Sequence, residues 1–233
     1  MSHFPYQSAL IIGAGAGISA ALARQLAERK VRVGLVARDT TKLQALASDI
    51  AAFAYQADAS QPEAIAAAFT AADKAIGVPD VVIYNPSARV RGSLLDLDPL
   101  EVEQAIKVTA FGGFLAVQQA ARRMVPNGHG AIFLTGATAS WKGYAHSAAF
   151  AMGKFALRAL SQSAARELGP KGVHVAHFIV DGRVRSAPGQ PAKGDDDHTL
   201  DPQAIAQTYI STLLQPRSAW SQEVDLRPWT ESF

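Results

Sequence analysis

Short apolar runs alternate with longer amphipathic ones from one end of the chain to the other, with no repeat and no linker that would separate two domains. The runs 9–12, 31–37, 52–55, 80–84, 131–135 and 173–180 are short and rich in β-branched and aromatic residues. Being apolar at nearly every position, they read as parallel strands buried on both faces. Between them lie helical patterns at 20–29, 40–50, 61–76, 99–125 and 147–168. In 61–76, Ile65, Phe69, Ala72 and Ile76 share a face, with Glu63, Asp73 and Lys74 off it. A helix with one apolar face covers a sheet, and right-handed crossovers then give an α/β fold: a doubly wound, mostly parallel sheet with helices on both faces. One domain, residues 1–233, is expected, with ligands bound beyond the carboxyl ends of the strands. The stretch 183–201, with two Gly, two Pro and the run Asp195-Asp196-Asp197, reads either as a plain surface loop or as a mobile lid over a substrate. The aromatic tail 218–233, with Trp220, Trp229 and Phe233, reads as a last strand plus a subunit contact.

The 233 residues include no cysteine, which removes disulfide scaffolds, zinc ribbons, iron–sulfur clusters and thiolate nucleophiles. With 22 basic and 20 acidic side chains the net charge is only +2, too little for a nucleic acid or an anionic bilayer. A small uncharged or anionic ligand stays open. The uncharged segment 1–23 lacks the basic start of a secretory signal and is interrupted by glycines, so a cytoplasmic protein is expected. The longest apolar uncharged run, 108–121, falls short of the roughly 18 residues a membrane span needs. His174 and His177 face opposite sides of a strand, and His198 follows the aspartate run; no metal site is expected.

The first strand runs into Gly13-Ala14-Gly15-Ala16-Gly17-Ile18-Ser19 and then a helix. Glycines there allow a tight turn and close backbone approach, so that N–H groups and the helix start can hold a pyrophosphate. The spacing fits G-x-x-x-G-x-G, with Ser19 in the last place, better than G-x-G-x-x-G. About 20 residues on, where an acid would accept the ribose hydroxyls of NAD, stands Ala37, followed by Arg38. An uncharged residue beside a guanidinium suits a 2′-phosphate, so NADP(H) is favoured over NAD(H). Asp39 either reaches a ribose or belongs to the first turn of the next helix.

These motifs make the chain resemble a short-chain dehydrogenase/reductase (SDR) over nearly its whole length. Gly13 to Ser19 is similar to the family's T-G-x-x-x-G-x-G; Ala57-Asp58, with Ala59, is similar to its adenine site; Tyr84-Asn85-Pro86-Ser87 stands where N-N-A-G is usual; Val180-Asp181-Gly182 stands near its P-G. The resemblance implies a Rossmann-like sheet of about seven strands in the order 3-2-1-4-5-6-7, and a homodimer or homotetramer built through helices 99–125 and 147–168. It implies cofactor contacts from Gly13, Gly15, Ala16, Gly17, Ile18, Arg38, Asp58, Ala59, Asn85 and Lys154. It also implies an Asn-Ser-Tyr-Lys tetrad in which tyrosine is the general acid or base, and here the tetrad is atypical. Lys154 is present, but the tyrosine position is Phe150, the serine position is Ala137 and the asparagine position is Thr109.

Phenylalanine has no ionisable proton, so the usual chemistry is replaced or absent. Tyr144 is the first candidate for a substitute donor, beside His146, with hydroxyls from Thr138 and Ser140 nearby. Tyr144 reads equally as an aromatic in the pocket wall. Lys154 either holds the nicotinamide ribose or polarises a carbonyl itself. Two functions follow: an NADP(H)-dependent oxidoreductase of an unknown small carbonyl or alcohol, or a non-catalytic nucleotide-binding or regulatory protein on the same scaffold.

Overall fold

The computed structural model describes residues 4–185 and 198–230. Its main sheet has seven parallel strands in the order β3-β2-β1-β4-β5-β6-β9: β1 (Ser8–Ile12), β2 (Arg32–Ala37), β3 (Phe53–Gln56), β4 (Val81–Tyr84), β5 (Gly130–Thr135), β6 (Val173–Val180) and β9 (Glu223–Leu226). Alternate residues of each buried strand enter opposite layers, as a period of two requires. Ala9 and Ile11 join Val33, Leu35, Ile83, Phe133 and Phe178 under α1 (Ile18–Glu28), the short α2 (Gln44–Asp49) and α7 (Pro202–Leu213). Leu10 and Ile12 join Val36, Val82, Tyr84 and Leu134 under α3 (Pro62–Ala75), α5 (Gly112–Met124) and α6 (Ala148–Leu168). Two cores, one on each face, account for the continuous apolar strands.

The helix starts follow their sequences. Asp98 and Asp201 each precede a proline at the first helical position, and each carboxylate accepts a backbone N–H at 2.8 Å, from Leu100 and Gln203 respectively. The first of these starts α4 (Pro99–Ile106). The expected single helix 99–125 is α4, a π turn over Lys107–Phe111 and then α5. A π turn widens the helix locally and is a frequent marker of a functional position, and Thr109 sits inside this one.

The stretch expected to be irregular has ordered ends: β7 (Arg183–Val184) pairs in parallel with β8 (Thr199–Leu200). Its acidic run lies outside the described residues. The tail supplies the expected seventh strand, and Trp220 stacks flat on His174 with ring centres 4.7 Å apart. No helix among the described residues is long and apolar enough to cross a membrane.

Candidate active site

The chain leaves β1 for β2 on one side while β4 lies on the other, so the loops after β1 and β4 open a crevice at the carboxyl edge. Gly13 takes φ +78°, and its N–H and that of Ala14 both donate to the Val36 carbonyl at 2.9 Å. Past this turn, a β-carbon at Gly15 or Gly17 would touch nothing within 4 Å. Gly17 starts α1 without any capping side chain, so the first N–H groups of the helix are left to the hollow lined by Gly15, Gly17, Ile18 and Ser19. Asn85 donates to the Ser19 hydroxyl at 2.8 Å, and that hydroxyl donates to the Gly13 carbonyl at 3.2 Å, tying the β4 loop to the glycine loop.

From there a hollow of about 470 Å³ runs outward past Asp58 and Ala59 to Arg38, Asp39 and Lys42. The Asp39 carboxylate is committed to its own turn, accepting from the Thr41 hydroxyl at 2.5 Å and the Thr41 N–H at 3.0 Å. Those hydrogen bonds, the hydroxyl's first, hold its pKa below the usual carboxylate value. Of the two readings of Asp39, this supports the turn. Lys42 lies 3.5 Å from the Asp39 carboxylate, and Arg38 beside that pair leaves the outer end with a net positive charge.

On the inner side, across Asn85 and Ser87, lies a second hollow of about 550 Å³. Lys154, from the buried face of α6, is only 3 % exposed and donates to the Thr135 carbonyl at 2.7 Å. Burial, and secondarily the Arg89 guanidinium, pull its pKa from 10.5 down to about 7. Phe150, one helical turn earlier, lines the same wall, and the Arg89 guanidinium lies 4.5 Å from its ring centre. Ala137 lines the hollow with no hydroxyl to offer. The two hydroxyls expected near the site are spent elsewhere: Thr138 donates to the Asp181 carboxylate, while Ser140 accepts the Ala137 N–H at 3.1 Å and lies 3.3 Å from His177 Nε2. Thr109 is buried beneath Gly153 and accepts the Ala88 N–H at 3.2 Å, which fixes the start of the Arg89 segment.

A family profile described as short chain dehydrogenase matches residues 7–189. The chain belongs to that family. It is 27 % identical over 223 residues to an uncharacterized oxidoreductase of Staphylococcus aureus, covering 94 % of this chain and 96 % of that one. Among solved structures it resembles a short-chain dehydrogenase from Rhodopseudomonas palustris at 34 % identity and a TM-score of 0.82, covering 96 % and 99 % of the two chains. It resembles a metagenomic short-chain oxidoreductase in complex with NADP at 30 % identity and a TM-score of 0.85, covering 99 % and 100 %.

In this short-chain dehydrogenase most residues expected at the site do gather there. Gly13, Gly15, Ala16, Arg38, Asp58, Ala59 and Asn85 line the outer hollow, Gly17 and Ile18 line the small hollow at the start of α1, and Lys154 lines the inner one. Tyr144 stands apart: it is 52 % exposed, lines none of these hollows and lies over the Lys142 ammonium at 5.3 Å. His146, at φ +61°, is also exposed, at the turn before α6. Tyr84 and Tyr209 are fully buried, their hydroxyls bonded to the Val108 carbonyl and to Thr135 Oγ1. No tyrosine lines any of the three hollows. Sequence reasoning missed Lys42, Arg89, Arg91 and Arg183. Lys42 stands four residues after Arg38, in the 3-10 turn Thr41–Leu43, a signal available in the sequence, and the three arginines all follow carboxyl ends of strands.

Proposed function

We propose that this short-chain dehydrogenase is an NADP(H)-dependent oxidoreductase of a small carbonyl or alcohol in which Lys154 carries the proton that the family's tyrosine carries elsewhere. The observation behind this reading is Lys154 itself: it is buried in the wall of a hollow without a phenol, and its pKa is drawn to about 7. A general acid works best with a pKa near the operating pH. At the tetrad positions stand Thr109, Ala137, Phe150 and Lys154, so only the lysine keeps an ionisable group.

The residues present fit a dinucleotide. The three hollows adjoin, sharing Gly15, Asn85 and Ser87, and the open space at Gly15 and Gly17 suits a pyrophosphate beside the start of α1. Arg38 and Lys42 would hold a 2′-phosphate, Asp58 the adenine end and Lys154 the nicotinamide end. The structural neighbour crystallised with NADP supports the same choice. A nicotinamide bound there supplies or accepts the hydride. Thr135 orients Lys154 through its carbonyl, and the ammonium delivers a proton to the carbonyl oxygen whose carbon takes the hydride. The neutral amine left behind is reprotonated from solvent, and alcohol oxidation runs the same steps backwards.

The test is NADPH oxidation by the purified protein over a panel of small aldehydes, ketones and oxo acids, with calorimetric titration of each nucleotide beside it. Turnover that titrates near pH 7 is expected. Tight nucleotide binding with no turnover on any carbonyl would instead leave a nucleotide-binding protein without catalysis. In the titrations, Arg38→Ala should lower the preference for NADPH over NADH about 10- to 100-fold, the range for losing hydrogen bonds to a charged group. Equal losses for both nucleotides would remove Arg38 from the 2′-phosphate.

The oligomeric state belongs to the same reading. Phe111, Phe114, Met152 and Phe155, on the π turn, α5 and α6, are each 41–53 % exposed. We assign this face to a homodimer contact, because apolar patches of this kind mark interfaces. Sedimentation should show a dimer that Phe114→Glu converts to a monomer.

A further inference from the structure

The inner hollow is far more cationic than a neutral carbonyl substrate requires. Arg89, Arg91 and Arg183 line it together with Lys154, and no Asp or Glu does. This is not the general condition of the chain, whose net charge is only +2. Several arginines elsewhere are neutralised by carboxylates: Arg24 pairs with Asp49, Arg123 with Asp73, Arg158 with Glu223 and Arg185 with Asp201. Among the described residues none of the three arginines of the hollow has such a partner.

Their convergence is also built rather than incidental. The Ala88 N–H is fixed on Thr109, and the next residue, Arg89, lays its guanidinium on the face of Phe150. An aromatic face attracts a guanidinium through its negative quadrupole while leaving the planar fork free for a bidentate oxyanion. Phe150 therefore has a positive use at the position where the family carries its acid. Arg89 also repels the Lys154 ammonium 6.0 Å from the same ring, a like-charge conflict that an anion in the hollow relieves.

We propose that the inner hollow selects substrates bearing a terminal oxyanion, a carboxylate or a phosphate ester. Arg89 is its anchor, Arg91 and Arg183 supply the surrounding field, and Phe150 is the positioning residue for Arg89. This rests on the oxidoreductase reading for the word substrate, and on the hollow alone for the anion. Loss of Arg38, at the far end of the outer hollow, bears only on the nucleotide.

The experiment has two readouts. In turnover assays with NADPH, small oxo acids, their methyl esters and phosphate esters of hydroxyketones are compared for wild type, Arg89→Ala, Phe150→Leu and Phe150→Tyr. In calorimetry, malonate and inorganic phosphate are titrated into the NADPH-saturated wild type and Arg89→Ala. The expected result is an anionic-to-neutral kcat/KM ratio well above one. It should fall about 10- to 100-fold in Arg89→Ala, mainly through KM, as expected for losing hydrogen bonds to a charged group. It should fall in Phe150→Leu and be kept in Phe150→Tyr, which retains the ring face. A preference among the anionic members decides between carboxylate and phosphate. Anion binding that Arg89→Ala removes, without turnover on any compound, supports the inference while ending the oxidoreductase reading. Turnover with no anionic preference does the reverse. Neither turnover nor anion binding overturns both, and a loss of NADPH affinity in Arg89→Ala equal to its loss of anion binding would assign the arginine to the cofactor and overturn the inference.

Discussion

Replacing Lys154 by methionine is expected to abolish carbonyl reduction and, in the same protein, to raise the melting temperature at neutral pH. The loss follows from the proton: positioned acid catalysis is worth about 10²- to 10⁴-fold in rate, and among the residues lining the inner hollow only this side chain titrates near neutrality. The gain follows from burial. Each unit of pKa displacement corresponds to about 1.4 kcal/mol, so an ammonium drawn from 10.5 to about 7 burdens the folded state by several kcal/mol where it is charged. Methionine keeps the apolar stem but leaves the Thr135 carbonyl without its donor, which costs about 1–3 kcal/mol in return. A net gain of about 1–3 kcal/mol remains, or roughly 2–12 °C for a chain of this size.

The pH dependence distinguishes this from ordinary repacking. In the unfolded chain the amine keeps its proton up to about 10.5, whereas in the folded chain it sheds it above about 7. Between those values the unfolded state binds more protons, so wild-type stability rises with pH, and below pH 7 the burden is constant and complete. The methionine variant lacks this slope. Its advantage in thermal melts is therefore expected to be largest at pH 6.5, to vanish between about pH 8 and 10 as the lysine burden falls to the cost of the lost hydrogen bond, and to reverse above that. A constant gap would show that Lys154 is not the burdened group, and a variant that still turns over would show that it is not the acid.

Strands were legible in the sequence because burial on both faces removes polar residues from whole runs, and each of the six runs overlaps a strand of the sheet, although β3, at the sheet's edge, is largely exposed rather than buried as expected. The helix at Pro202–Leu213 carries the same Asp-Pro start as Pro99, but it follows a polar stretch that obscures its apolar face. The π turn at Lys107–Phe111 was not legible, since one extra residue in a turn leaves the apolar spacing almost unchanged. The same division runs through the site. Arg38, Asp58, Asn85 and Lys154 are fixed by position relative to strand ends, which the chain order encodes. Tyr144 and Arg89 depend on which way a loop throws its side chains. The chain turns at His146 with φ +61°, Tyr144 stays on the solvent side, and Arg89 folds back onto Phe150. Only tertiary geometry decides such directions.

The glycines after β1 allow the structural and the ligand-binding demands on that loop to be separated by two single substitutions. Gly13→Ala is expected to destabilise strongly. At φ +78° the new β-carbon enters left-handed backbone, costing about 1–2 kcal/mol, and it stands 2.6 Å from the backbone nitrogen of Pro86, which cannot rotate away. Forced overpacking adds about 1–3 kcal/mol, so the melting temperature should fall by roughly 4–20 °C for a chain of this size. Because Pro86 leads the Asn85–Ser87 wall of the outer hollow, nucleotide affinity falls with it. Gly15→Ala should behave oppositely. Its φ is not positive and its β-carbon meets nothing within 4 Å, so the fold accepts it with little change in melting temperature. That empty space is where the pyrophosphate would approach the backbone, and filling it should weaken NADPH at least about 10-fold, an effect of about 1.4 kcal/mol. Thermal melts and calorimetry on the two variants, side by side, check both statements. If Gly15→Ala binds NADPH as wild type does, the glycine loop is a turn and nothing more, and the dinucleotide must be sought elsewhere along the carboxyl edge of the sheet.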